Sequence, residues 1–180
     1  MDVRNRFGQT GATGFVWAEN PKVINKKLQD LIKQGHGVQR HGPDVTDQQL
    51  LERVVQGMDP MTGTRIDGGH GGAHQYAAHA TKVKTAEAYV YAENFARNSE
   101  QFIEAVNTAR LNRIEVQIPL KDIYGSDFRE YVSGVTRYGN KNTPQGYGYT
   151  QFSDNSYMAV RYKQDVSGKW IFNTMFPQPE

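Results

Sequence analysis

The apolar period of this chain changes once along its length, and that change restricts the folds open to it. Up to about residue 109 apolar residues recur at helical spacing, and from Ile114 onward they alternate. Ile24, Leu28 and Leu31 form the stripe of a first helix, opened by Asn20 and Pro21 and ended by Gly35. Thr46 and Gln49 make a capping box for a second, whose buried face is Leu50, Leu51, Val54 and Val55, with Gly57 as its stop. Thr85 caps a third helix to about Ala96, and after a break at Asn98 and Ser99 helix resumes to about Ala109. Then Ile114, Val116, Ile118 and Leu120 alternate, as do Met158, Val160 and Tyr162. Tyr131–Tyr138 is another strand candidate. Asp165–Gly168 turns the chain into a last strand, Lys169–Phe176. Residues 1–19 read as irregular, and 139–150 as a Gly-, Asn- and Tyr-rich loop. Helices followed by antiparallel strands is an α+β order, expected here as N-terminal helices and then one curved antiparallel sheet.

The 180 residues suit one domain with a real core. Hydrophobic residues are 37% and charged residues 22%, a globular balance, and no apolar run reaches the length of a bilayer span. The opening MDVRNRFGQTG has no apolar signal core. With no cysteine, disulfides, thiolate zinc sites and a cysteine nucleophile are excluded. Residues 1–41 hold seven Lys/Arg against three Asp/Glu, 42–128 eight against twelve, and 129–180 six against four. Two basic ends flank an acidic middle. If the ends meet in space they make a groove for a phosphate backbone; otherwise the charge is scattered and solvated.

Four features carry chemistry: the segment Gly35-His36-Gly37-Val38-Gln39-Arg40-His41, then Arg53, then His70, His74 and His79, and last the strand Trp170–Pro177. On that strand period two puts Trp170, Phe172, Thr174 and Phe176 on one face, with Thr174 the one hydroxyl among aromatics. A histidine suits general base work near neutral pH, and arginine stabilises charge on phosphorane oxygens. Such a pair also occurs as an ordinary surface or capping contact. Residues 57–74 form a long Gly-rich loop, and loops of this length are usually functional or mobile. His70 and His74 are four apart, a metal-ligand spacing only on a helix, which Gly71 and Gly72 oppose; Asp67 is the carboxylate noted beside them, and no metal is expected. Tyr147, Tyr149 and Phe152 are candidates for stacking bases, or for core.

Gly35-His36-(x)3-Arg40-His41 followed by Thr46-Asp47-(x)2-Leu50-Leu51-x-Arg53 resembles the opening motif of the bacterial ribonuclease-A-like toxin domains that end contact-dependent and Rhs-type toxins. Thr85-Ala86-Glu87 with Asn98 and Ile103 is similar to the middle helix of that family, and Tyr162–Pro177 to its closing hairpin. The resemblance implies a unit over 35–180, with 1–34 an N-terminal segment and first helix. It implies His41, Arg53 and Thr174 as catalytic residues, with His36, Arg40 and Phe176 touching substrate. Phe176 stands where the family has tyrosine. The stretch between His41 and Arg53 is one residue longer than the family pattern, which leaves open whether Arg40 or Arg53 faces the phosphate.

The resemblance further implies RNA cleavage by 2′-hydroxyl attack, without metal or cofactor, leaving a 2′,3′-cyclic phosphate and a 5′-hydroxyl. The general acid stays open among His36, a histidine of the Gly-rich loop, and Tyr138. The setting implied is the tip of a larger exported toxin, delivered into a neighbouring cell's cytoplasm and blocked by a cognate immunity protein. Two other readings compete. An NAD-using ADP-ribosyltransferase would explain His36-Gly37 and Ala80-Thr81-Lys82, but past Glu130 only Glu180 supplies its late glutamate, unless Asp154 or Asp165 substitutes. A non-catalytic binding module would have no activity to lose.

Overall fold

The computed structural model describes residues 19–180, together with the paired backbone of two short strands, β1 (Thr10–Gly11) and β2 (Gly14–Phe15). Within the stretch read as irregular, residues 1–19, the described Thr10–Gly11 and Gly14–Phe15 pair as strands, and the rest up to residue 18 lies outside the described residues. The rest is an α+β fold with its helices mostly in the N-terminal half. Among the described residues no helix is long and apolar enough to cross a membrane.

Local signals set the helices. In α1 (Pro21–Gln34) the Asn20 side chain accepts from the Lys22 amide, and Ile24, Leu28 and Leu31 are buried. In α3 (Asp47–Gln56) the capping box between Thr46 and Gln49 is complete, and Gly57 ends the helix at φ 70, a left-handed conformation that favours glycine. Thr85 caps α4 (Ala86–Arg97) and Ser99 caps α5 (Glu100–Thr108). The segment Gly37–His41, between the expected helices, is itself a short helix, α2. The strand from Ile114 closes at Pro119, and Leu120 begins another short helix, α6 (Leu120–Tyr124).

The strands divide into two antiparallel three-stranded sheets rather than one. The first has the order β3-β5-β6, with β3 His79–Val83, β5 Val132–Gly139 and β6 Pro144–Tyr149. The second has the order β4-β7-β8, with β4 Arg113–Pro119, β7 Tyr157–Gln164 and β8 Trp170–Gln178. Strand β6 lies within the stretch expected to be loop. Its residues show no buried alternation, and it forms by backbone pairing to β5.

The main core joins α1, α4, α6 and the inner face of the second sheet. Tyr89, Tyr124, Phe128, Tyr162 and Phe172 are almost wholly buried in it. Burial of each such ring stabilises the fold by roughly 1.5–3 kcal/mol. The stripe of α1 belongs to this same cluster. Phe152 lies in it too, so it stacks on no base. A smaller cluster of Val45, Leu50, Val54, Ala80 and Val135 ties α3 to the first sheet.

Strand β8 is the edge where the two sheets meet. The carbonyls it turns away from β7 are taken up one by one: Asn173 by the His36 amide at 2.9 Å, Met175 by the Tyr89 hydroxyl at 3.3 Å, Pro177 by the Thr81 hydroxyl at 2.6 Å. An edge that would otherwise invite another strand is thereby covered. Glycine is needed for this. A Cβ on Gly35 would lie 2.1 Å from the Asn173 oxygen, and one on Gly37 would lie 2.6 Å from Thr174 Cα. Gly35 thus ends α1 in extended backbone, and close approach rather than a left-handed cap is what requires it.

Candidate active site

A cavity of about 310 Å³ sits at this junction of α2, α3, β3, β8 and the Gly-rich loop. All five histidines of the chain line it. So do Arg40, Arg53, Arg161, Thr174, Phe176 and Gln178. The six residues expected at the site therefore come together. Tyr138 is not among the lining residues and is largely exposed.

A bulge in β8 aims the strand's last residues into the cavity. Arg161 pairs with Thr174 but Tyr162 pairs with Phe172, so Asn173 is the extra residue. One inserted residue reverses which face each side chain takes. Phe172 and Met175 point into the core, while Thr174 and Phe176 line the cavity. The expected single face of Trp170, Phe172, Thr174 and Phe176 is therefore broken between Phe172 and Thr174.

His41 is 5% exposed, and its Nδ1 donates to the Thr81 carbonyl at 2.8 Å. A carbonyl can only accept, so the proton of the neutral ring is on Nδ1 and the lone pair on Nε2. Arg53 Nη1 lies 3.4 Å from that Nε2. Burial, and then the Arg53 charge, hold the His41 pKa well below 6.5, so the ring is neutral at pH 7. The Phe176 ring packs against it at 5.1 Å between centroids. Thr81 binds both His41 and β8, which makes it the residue that sets the imidazole over the strand. Sequence reading missed this role, because it depends on contacts to residues 40 and 96 positions away.

The two arginines divide their duties. Arg40 is 6% exposed and closed in by carboxylates. Its Nε and Nη2 donate to Asp59 at 2.9 and 2.6 Å, and Nη2 also meets Asp67 at 2.7 Å. Asp59 is wholly buried and further accepts from the amides of Met61 and Gly68. Asp67, held down to about 2 by Arg40 and the Gly69 amide despite partial burial, completes the clasp. The Gly-rich loop is thus folded around one guanidinium. Asp67 is not the lone carboxylate there, since Asp59 stands beside it. Asp59, Asp67 and His74 are close enough to ligate a cation, but the space between the carboxylates is taken by Arg40.

Among the described residues Arg53 has no carboxylate partner. Its pKa is lowered to about 10 by burial and by Arg40, which leaves it charged at neutral pH, and its buried Nε has no protein hydrogen-bond partner. The Thr174 hydroxyl, 4% exposed, has none either. Buried polar groups in folded proteins are nearly always satisfied. Two unsatisfied ones line this cavity, where a polar ligand could satisfy them.

The other histidines differ in state. Burial and Arg40 lower His36 to about 4. His74 is buried and contacts the Gly57 carbonyl through Nδ1 at 3.2 Å, and His79 Nδ1 meets the Thr136 hydroxyl at 2.9 Å. His70 is exposed, 3.5 Å from Asp67. Of the three lining arginines, Arg40 is paired with Asp59 and Asp67 and Arg161 with Glu115, so Arg53 carries the local positive charge. Comparisons with protein families, with curated proteins and with solved structures find no match.

Proposed function

We propose that this chain is a metal-independent ribonuclease, the toxic domain of a larger exported protein that acts in a target cell's cytoplasm. The observation that carries the reading is the pairing at the cavity of a neutral His41, its Nε2 lone pair toward Arg53, with an arginine that has no carboxylate partner among the described residues. His41 Nε2 takes the proton of a ribose 2′-hydroxyl, and the oxygen attacks the adjacent phosphorus in line. Arg53 stabilises the charge that grows on the phosphorane oxygens. The Thr174 hydroxyl binds a phosphate oxygen or the base. The leaving 5′-oxygen takes its proton from solvent or from the exposed His70 at the cavity rim. The products are a 2′,3′-cyclic phosphate and a 5′-hydroxyl.

The placement of the acidic residues favours this reading over the NAD one. Among the described residues no glutamate lines the cavity. The Glu180 carboxylate bonds to Ser153 and Asn155. Asp154 pairs with Lys121 and Arg129, and Asp165 is tied into its own turn. An inhibitory immunity protein that covers this mouth would present acidic groups to its arginines.

The deciding experiment incubates the purified chain with total RNA in EDTA at neutral pH, without nucleotide. Cleavage that disappears in His41→Ala supports the reading. Intact RNA from the native chain, or equal cutting by the variant, overturns it. Label transfer from NAD in a parallel reaction would favour the transferase, and inertness in both a binding module.

A further inference from the structure

The outer face of the β4-β7-β8 sheet carries cationic side chains that begin at the cavity and run outward. Register sets their order. Thr174 on β8 lies opposite Arg161 on β7, which lies opposite Glu115 on β4. One row further, Lys163 lies opposite Arg113. Strand β4 alternates cleanly, so Arg113, Glu115 and Gln117 face away from the core that Ile114, Val116 and Ile118 fill. Alternate residues along a strand are about 7 Å apart, and neighbouring strands about 4.8 Å. Arg113, Lys163 and Arg161 thus form one continuous patch at the cavity mouth.

Glu115 is the one acid among these outward residues, and it is already engaged. It accepts from Arg161 Nε at 2.6 Å and from Gln117 at 3.0 Å. Arg161 also lies 5.1 Å from the centroid of Phe176. On the same face, half-buried Tyr157 sits opposite Gln178, a cavity residue. The face therefore offers cations and rings together, the combination that binds single-stranded nucleic acid. Lys163 is near enough to His36 to disfavour its protonation. A cavity of about 310 Å³ is at the small end of ligand pockets, so a polymer must continue outside it.

We propose that this sheet face is the track for the single-stranded RNA flanking the scissile phosphate, with Arg113 and Lys163 holding phosphates beyond the cavity. This rests on the ribonuclease reading for the identity of the polymer. Neither residue lines the cavity, so chemistry and track separate experimentally.

The test pairs Arg113→Gln/Lys163→Gln with the native chain. Binding of a labelled single-stranded oligoribonucleotide is measured in the His41→Ala background across a salt series. Cleavage of long RNA and of a dinucleotide is measured without that change. The double variant is expected to bind roughly tenfold more weakly, with a log–log salt slope shallower by about 1.4, two contacts at 0.7 each. KM for long RNA rises while kcat and dinucleotide cleavage hold. Arg113→Lys/Lys163→Arg keeps native binding. Unchanged affinity and slope overturn the track and leave the ribonuclease reading standing. Native binding with the expected loss in the variant, but no cleavage of either substrate, removes the ribonuclease reading and keeps the track. Polyglutamate binding is measured in parallel, and its loss in the double variant with RNA binding intact overturns the track in favour of an acidic protein.

Discussion

Thr81 accepts the Nδ1 proton of His41 at 2.8 Å, which leaves the imidazole lone pair on Nε2, the atom beside Arg53. That bond selects the tautomer a general base needs. It also predicts how His41→Ala behaves. RNA cleavage should fall by about 10²–10⁴-fold, the usual worth of a positioned base. The variant should still unfold in one cooperative transition. Cleavage rate and a thermal melt on the same preparation check both. A native rate in a folded variant would remove His41 from the chemistry.

The two arginines should fail in different ways. Arg53→Gln should cost about 10²–10³-fold in kcat, as for loss of one donor to a growing oxyanion. Arg40→Gln should instead cost about 3–5 kcal/mol of stability, because Asp59 and Asp67 are left buried without their cation. Urea denaturation separates the two variants. Equal stability of Arg40→Gln and native chain would refute the clasp.

Acid should destabilise the fold in two stages. His36, at about 4, and His41, His74 and His79, also lowered mainly by burial, are held neutral in the folded chain. Their contribution is full above about 6.5, where the unfolded chain is also neutral, and is lost as pH falls below that toward the folded values. Asp59 and Asp67 are lowered instead by Arg40, Asp67 to about 2. Their contribution persists above the ordinary carboxylate value and is lost as pH falls through the folded one. A melting temperature that drops between pH 6.5 and 4, then again toward pH 2, is expected. A flat profile down to pH 4 would contradict the first stage. The acid limb of kcat/KM should lie well below 6.5, where His41 gains its proton.

Thr174→Val keeps the shape of the side chain and removes a hydroxyl that has no protein partner. Stability should be unchanged or slightly raised, since an unsatisfied buried group costs about 1–3 kcal/mol. Cleavage should fall roughly tenfold, the worth of one hydrogen bond to substrate. A loss of stability with cleavage intact would give the hydroxyl a structural role.

Much of the fold was readable because its signals are local. Asn20, Thr46, Thr85 and Ser99 stand where helices open, and each makes its capping bond within three residues. The alternation of β4 and β7 follows from one buried face. Strand β6 escaped because nothing local marks it. Glycines and outward tyrosines pack against no core, and only the ladder to β5 makes them a strand.

By itself, then, the sequence determined the four longer helices and their ends, the alternating strands β4 and β7, and the residue types available at the site, while β3, α2 and α6 went unmarked. Tertiary structure decided which of them meet. The bulge at Asn173 swings Thr174 and Phe176 away from the core, a matter of pairing register that periodicity along one strand cannot contain. Contacts of the same long range underlie the proposal that Arg53 rather than Arg40 faces the phosphate. The loop returns Asp59 and Asp67 to Arg40 and neutralises it, so Arg53 alone keeps an uncompensated charge beside His41. Charge compensation depends on distance in space, and the distances that matter here cross many residues of chain.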